Sequence, residues 1–239
     1  MTKLEISVIN VTIGKRHILQ NISLHVSSGE IVGLLGPNGC GKTTLFSTII
    51  GSRKPTSGHI ILSPNQDLTA LPIHQRVHLG LGYLPQESSV FRDLSVEENI
   101  LLPLELYIKD TAKRQDRLHH LLSEFQLERL KDQKAKYLSG GERRRLEIAR
   151  ALSTNPKFLL LDEPLAAIDP LTIEYIKKTL HYLKSLNIGI LITDHNVPDT
   201  LDIIDRGYLL YQGKILCEGT KDTLLHHPKA QDVYFGGTY

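Results

Sequence analysis

The chain has 239 residues, 41% apolar and 23% charged, with 28 basic residues against 26 acidic ones for a formal net charge of +2. That is the profile of an ordinary globular chain long enough to bury a sizeable core, and its near-neutral balance argues against nucleic acid as the main partner. Cys40 and Cys217 lack metal-ligand spacing, there is no signal-peptide pattern, and no apolar run nears the roughly 18 residues of a spanning helix. The expectation is a reducing, cytoplasmic setting, with any membrane role reached through a partner.

Over residues 3–35 apolar positions alternate with polar ones (Leu4, Ile6, Val8, then Ile22, Leu24, Val26), the period of half-buried strands. Ser27-Ser28-Gly29 reads as a turn, and Ile31–Leu35 as a central strand covered on both faces. A glycine-rich loop leads into a helix expected over Lys42–Ile50. A half-buried stretch at residues 59–62 and a strand at about Leu81–Leu84 follow. Residues 95–150 turn helical in character. Ser95-Val96-Glu97-Glu98 is a capping box that sets a helix start at Ser95, and the charged region 109–136 carries Leu118, Leu121, Leu122 and Phe125 at helical spacing. Parallel-strand runs return at residues 158–161 and at Gly189–Thr193, flanking an amphipathic helix with Ile173, Ile176, Leu180 and Leu183. This order predicts an α/β fold with an inserted helical piece.

Gly36-Pro37-Asn38-Gly39-Cys40-Gly41-Lys42-Thr43 matches the phosphate-binding pattern G-x-x-x-x-G-K-[ST], between a predicted strand and a predicted helix. Glycines let backbone N–H groups turn toward phosphates, and the following helix adds its dipole. Lys42 brings charge to the β- and γ-phosphates, the Thr43 hydroxyl is the expected Mg²⁺ ligand, and Thr44 follows among the nucleotide-binding positions. A thiol at this helix start is expected to have a lowered pKa, so Cys40 is read as reactive. Residues 158–163 form an apolar strand ending in two carboxylates. Placed beside the phosphate-loop strand, Asp162 would hold Mg²⁺ and Glu163 would orient or deprotonate the attacking water.

Leu138-Ser139-Gly140-Gly141-Glu142 precedes a helix through residues 143–152; it is a capping box that also presents N–H donors to an anion. With these motifs, Gln86 and His195 in the same order and spacing, the chain resembles the ATPases of ABC transporters over essentially its whole length. The resemblance implies a P-loop NTPase fold: a RecA-like, mostly parallel sheet, an N-terminal antiparallel β portion and an inserted helical subdomain. It implies one ABC ATPase domain over 1–239, with 1–86 and 154–239 as the α/β core and 87–153 as the helical subdomain.

The same resemblance assigns roles. Ser139, Gly140 and Gly141 reach across a head-to-tail homodimer to the γ-phosphate on the opposite loop. Gln86 senses Mg²⁺ and the γ-phosphate, His195 contacts the γ-phosphate and braces Glu163, and Asp169 lies at the dimer seam. ATP and Mg²⁺ are the cofactors. Integral membrane subunits are the partners, with the protein peripheral on the cytoplasmic face of the inner membrane. Val90, Phe91 and Leu94 put apolar bulk into a segment expected on the surface, where a short helix of the membrane subunit would dock near Phe91; the plain alternative has Phe91 plugging the helical core.

The stretches GYLPQESSVFRDLSVEENI (82–100), LSGGERRRLEIARAL (138–152), LITDHNV (191–197) and VYFGG (233–237) most resemble the ATPases of lipopolysaccharide export. Branched-chain amino-acid importers share parts of them, and a soluble ABC ATPase of the iron–sulfur assembly type is a further alternative. A GTPase-type switch lacks its guanine-reading motif, since Thr220-Lys221-Asp222 has the acid one place early. One departure concerns the base: where the family carries an aromatic, this chain has Ile13, which leaves the ATP-versus-GTP preference open. The pairs His119-His120 and His226-His227 lack metal-ligand neighbours, and Arg143-Arg144-Arg145 reads as a solvated or dimer-seam cluster.

Overall fold

The computed structural model describes residues 2–166 and 168–236. Ala167 of the loop before Asp169, and Gly237 of the VYFGG ending, lie outside them. In chain order the elements are β1 (Lys3–Ile13), β2 (Arg16–Ser27), β3 (Ile31–Leu35), α1 (Lys42–Ile50), β4 (Ser57–Leu62), β5 (Gln66–Asp67), α2 (Ile73–His78), β6 (Leu81–Leu84), α3 (Val96–Tyr107), α4 (Thr111–Glu124), α5 (Gly140–Leu152), β7 (Phe158–Asp162), α6 (Pro170–Ser185), β8 (Gly189–Thr193), α7 (Val197–Ile203), β9 (Arg206–Tyr211), β10 (Lys214–Gly219) and α8 (Lys221–Leu225).

Two sheets result. β2-β1-β4-β5 is antiparallel, as the alternating N-terminal pattern requires. The second, β10-β9-β3-β8-β7-β6, is parallel apart from its edge strand β10. Its strands β3, β7 and β8 are buried at every position, so they read as apolar runs. Period two still decides which core each residue joins. Ile31, Leu35, Leu159, Leu161, Ile190 and Ile192 pack toward the helices, whereas Val32, Leu34, Leu160 and Leu191 pack toward α1 and the antiparallel sheet. Truncating one of these, as in Leu160→Ala, costs about 2–5 kcal/mol.

Three expectations are corrected. Val8 breaks the alternation: its φ is +51°, the β1–β2 register shifts between Ile6 and Ile9, and it is 52% exposed while Ile9 and Val11 are buried. A bulge here re-aims the strand. The helical region is shorter than the charged stretch, because α4 stops at Glu124 where Gln126 turns to φ +54°. Two 3₁₀ turns follow, and the chain is tied down by Val96 N–H donating to Gln133 O and Ala135 N–H to Leu94 O. Finally, β7 is not beside β3. β8 lies between them, with Asp162 opposite Thr193. The intervening strand moves Asp162 about 9–10 Å sideways from the phosphate-loop strand, two strand spacings, and places the residues after Thr193 between the two.

Candidate nucleotide site

The phosphate loop leaves β3 at Gly36, whose φ of +147° and position admit no side chain: a Cβ there would lie 2.1 Å from the carbonyl oxygen of Leu210. The chain then turns through Gly39 and Gly41, both at positive φ, and α1 begins at Lys42. Lys42 is 8% exposed and its ammonium donates to the carbonyls of Gly36 (2.6 Å) and Pro37 (3.1 Å), spanning the mouth of the loop. Thr43 is exposed on the first turn and Thr44 half-buried beside it. Pro37 is half-buried and Asn38 exposed at the loop tip, and Ile13 is 41% exposed at the end of β1. Cys40 departs from expectation. It is 5% exposed, and burial raises its thiol pKa, outweighing the ammonium of Lys42 that pulls it down. The thiol is a small buried filler, not an activated one.

The end of β7 supplies the acids. Asp162 is 2% exposed, and its carboxyl pKa is pushed up to about 6, first by burial and then by the Glu163 charge; Lys42 partly offsets this. Its protein donor is the Tyr83 hydroxyl at 3.5 Å, a long contact, and Tyr83 is itself raised to about 12 by burial and by Asp162. Thr193 Oγ1, on the opposing residue of β8, is buried with no hydrogen-bond partner. The Asp162 carboxyl, buried and short of positive charge beside the orphan Thr193 hydroxyl, the exposed Thr43 hydroxyl and the side-chain oxygen of Gln86, whose Nε2 is turned to Glu163, are all oxygen donors of the kind a hard divalent cation such as Mg²⁺ takes. The residues present fit the metal.

Glu163 is held in a left-handed conformation at φ +50°. Its N–H donates to Thr193 O at 2.7 Å, and Arg144 donates to its carbonyl at 3.1 Å, so both ends of a strained residue are clamped. Gln86 Nε2 donates to Glu163 Oε2 at 2.8 Å, and His195 Nδ1 lies 3.2 Å from the same oxygen. Gln86, Glu163 and His195, 109 positions apart at the extremes (195 − 86), therefore meet at the carboxyl ends of β6, β7 and β8. That is where ligands bind in open α/β sheets. Asp194 organises the rear. Fully buried, it accepts N–H bonds from Leu165 (2.7 Å) and Asn196 (2.9 Å), and burial raises its pKa.

The signature stretch lies on another face. Ser139 caps α5 by a complete capping box with Glu142, and Ser139 and Gly140 are exposed. Ser139, Gly140, Gly141 and Asp169 line one concavity with Leu171, which is 84% exposed. Asp169 caps α6, accepting from Thr172 N–H at 3.0 Å. Within one chain the structure does not bring this group to the phosphate loop.

Sequence reasoning missed a buried brace. Arg144 is 7% exposed, not solvated: it pairs with buried Glu147 at 2.7 Å and donates to the carbonyls of Pro164 and Glu163. Ser88 donates to the other oxygen of Glu147 at 2.6 Å, linking the segment after Gln86 to the backbone of Glu163. The signal was the i,i+3 pair inside an otherwise buried face of α5. Asn99, fully buried, and Arg150 were missed as well. Asn99 accepts from Phe91 N–H at 2.8 Å and donates to the carbonyls of Phe91, Leu94 and Ser95, while Arg150 stacks over the Phe91 ring at 4.9 Å and donates to Ser89 O. Phe91 remains 47% exposed, so it does not plug the core; Val90 is the buried member of that segment. Arg150, which lies over the Phe91 ring, lines a groove of about 380 Å³ with Ile73, Val77, Tyr83, Pro85, Ser89 and Pro103. Among the described residues no group of His, Cys, Asp and Glu forms a separate metal cluster, and no helix is long and apolar enough to cross a membrane.

A family model described as ABC transporter matches residues 19–166, more than half of the chain. The chain belongs to the ABC transporter family. As an ABC ATPase it is 48% identical, over 94% of its length and 93% of the relative's, to the lipopolysaccharide export system ATP-binding protein LptB of Acidithiobacillus ferridurans. It is 47% identical to the protein of the same name from Escherichia coli K12, with 92% of each chain covered. The fold matches the ADP conformation of MJ1267, an ATP-binding cassette of an ABC transporter, at a TM-score of 0.88 and 29% identity over 99% of both chains. It also matches a dimeric, post-hydrolysis cassette, MJ0796, bound to ADP and Pi, at a TM-score of 0.79 and 27% identity over 92% of this chain and 99% of that one. The α/β cassette with an antiparallel N-terminal sheet is thus the family's fold.

Proposed function

We propose that this ABC ATPase is the MgATP-hydrolysing subunit of a lipopolysaccharide export transporter, acting as a head-to-tail homodimer at the cytoplasmic face of the inner membrane. The observation that carries the catalytic part is the convergence of Gln86 and His195 on Glu163 Oε2, beside buried Asp162 and across from Lys42. The export assignment rests on the near-full-length likeness to two proteins of that name.

The loop glycines Gly36, Gly39 and Gly41, with Pro37, Asn38 and Cys40, cradle the phosphates through backbone N–H groups, and Lys42 leaves the loop carbonyls to pair with them. Thr43, Gln86 and Asp162 would hold Mg²⁺, which when bound neutralises charge on the β- and γ-oxygens. Glu163 Oε2 is occupied by Gln86 and His195, so Oε1 is the acceptor that orients the water and takes its proton. Ser139, Gly140 and Gly141 of the second copy complete each site, and Asp169 lines the seam. Nucleotide closes the dimer only as far as it binds the closed state better than the open one. Residues 87–153 would move as the helical subdomain against the core formed by 1–86 and 154–239.

Partner docking is assigned to the groove beside Phe91, taking a short helix of a membrane subunit. Phe91 is 47% exposed, Arg150 lies over its ring, and the loop that carries it follows Gln86 directly. Phe91→Ala should weaken association with the membrane partner by about 2 kcal/mol or more, as for a buried aromatic anchor, with ATPase activity and melting temperature of the free subunit near wild type. Co-purification from native membranes reads the outcome, and wild-type recovery of the partner by the variant would sink the docking assignment.

A further inference from the structure

Arg76, on α2, is 1% exposed, and every hydrogen bond it donates goes to a backbone carbonyl: Thr48 (2.8 Å), Ile49 (2.5 Å), Leu71 (2.8 Å) and Thr69 (3.0 Å). A buried guanidinium satisfied without a carboxylate is unusual. Two of those carbonyls belong to the last turn of α1, the helix whose first turn carries Lys42 and Thr43. The cation therefore sits on the negative end of the phosphate-binding helix, where it both satisfies free carbonyls and opposes their partial charge. The approach is built in by Gly51, which ends α1 at φ +93°: a Cβ there would lie 2.7 Å from Arg76 Nε and 3.0 Å from Leu71 O.

The same short helix faces the groove. Ile73 and Val77 of α2 line it, and Ile73 is 43% exposed. At its far end His78 packs on Tyr107 of α3 with ring centroids 4.7 Å apart. One six-residue helix thus touches the groove, the end of α3 and, through Arg76, the phosphate-binding helix. We propose that Arg76 is a positioning residue that ties the groove wall to the C-terminal end of α1, giving the groove a mechanical path to the phosphate loop that bypasses Gln86. The groove end of this path rests on the docking assignment above; the Arg76–α1 end does not. A nine-residue helix is a rod about 13 Å long, so holding one end fixes where the amides at the other end point, and with them how well the loop binds the phosphates.

The test uses the isolated, full-length subunit, so that its failure is separate from a failure of docking. Steady-state ATPase kinetics, MgATP titration and thermal melting are compared for wild type, Arg76→Gln and Arg76→Lys. Arg76→Gln should raise both KM and the MgATP dissociation constant about tenfold while kcat changes by less than about threefold, the pattern of lost binding geometry and not lost chemistry. Arg76→Lys, whose ammonium still reaches the α1 carbonyls, should recover much of that affinity. A folded Arg76→Gln with wild-type KM and affinity, whatever its melting temperature, would overturn the proposal and leave Arg76 a structural plug. Amide exchange on the wild-type chain keeps the question decidable should the variants not fold. MgATP must slow exchange over residues 68–77 together with α1, and unchanged exchange at 68–77 would equally overturn it.

Discussion

Asp162→Asn should make the protein more stable at neutral pH in the absence of nucleotide and metal while weakening its stabilisation by magnesium with ATP. In the folded state the carboxyl titrates at about 6, against 3.8 for an ordinary aspartate, because it is 2% exposed and sits beside the Glu163 charge. Ionising it in the fold therefore costs more than ionising it in the unfolded chain, by up to about 3 kcal/mol for a shift of about two units. The sign follows from linkage. Between pH 4 and 6 the native state holds the extra proton, so wild-type stability from this group is full below about pH 4 and is lost as pH rises through about 6. Asparagine has the same shape, can still accept from Tyr83, and never ionises. Urea unfolding from pH 4 to 8 without nucleotide or metal should show the variant equal to wild type near pH 4. Near pH 7.5 the variant should be ahead by about 2–3 kcal/mol, on the order of 5–10 °C in melting temperature for a chain of this size. Magnesium with ATP should stabilise wild type more than the variant. A variant less stable than wild type at pH 7.5, or a difference that does not change with pH, would refute the placing of a buried, charge-poor carboxyl at this position.

Two further outcomes follow from the loop and the base position. Ile13→Tyr should tighten ATP binding by up to about 1 kcal/mol by adding a stacking face, and wild type should separate ATP from GTP only weakly in competition binding; equal affinities for the two variants would show that Ile13 does not lie against the base. Cys40, buried and with its pKa raised, should be alkylated at pH 8 at least about tenfold more slowly in the native protein than in urea. Peptide mass spectrometry reads this directly, and native modification as fast as in urea would show an open, activated thiol.

What was readable in the sequence was whatever a short stretch specifies alone. The phosphate loop, the capping boxes at Ser95 and Ser139 and the buried runs of β3, β7 and β8 each carry their cause within a few residues, and the structure has all of them. Order within the sheet is a different kind of fact. Nothing in residues 158–163 says that β8 will slip between β3 and β7, because parallel pairing is decided by crossovers tens of residues long. The bulge at Val8 was hidden for the converse reason, since an apolar residue at an alternating position matches the pattern whether it faces in or out. At Cys40 the helix start alone misleads, because burial, which only packing reveals, raises the thiol pKa. Arg76, Arg144 and Asn99 escaped notice because polar residues that bond buried carbonyls or carboxylates look, in sequence, like solvated ones.

The central claim is that Glu163 acts on water while Lys42 and the loop hold the nucleotide. Its most direct test is to incubate Glu163→Gln with MgATP, then read nucleotide affinity, oligomeric state by size-exclusion chromatography with light scattering, and hydrolysis, with Lys42→Ala alongside. The account predicts near wild-type affinity, a trapped dimer retaining ATP and a hydrolysis rate reduced by about 10²-fold or more for Glu163→Gln, and loss of nucleotide binding itself for Lys42→Ala. Near wild-type hydrolysis by Glu163→Gln would contradict it.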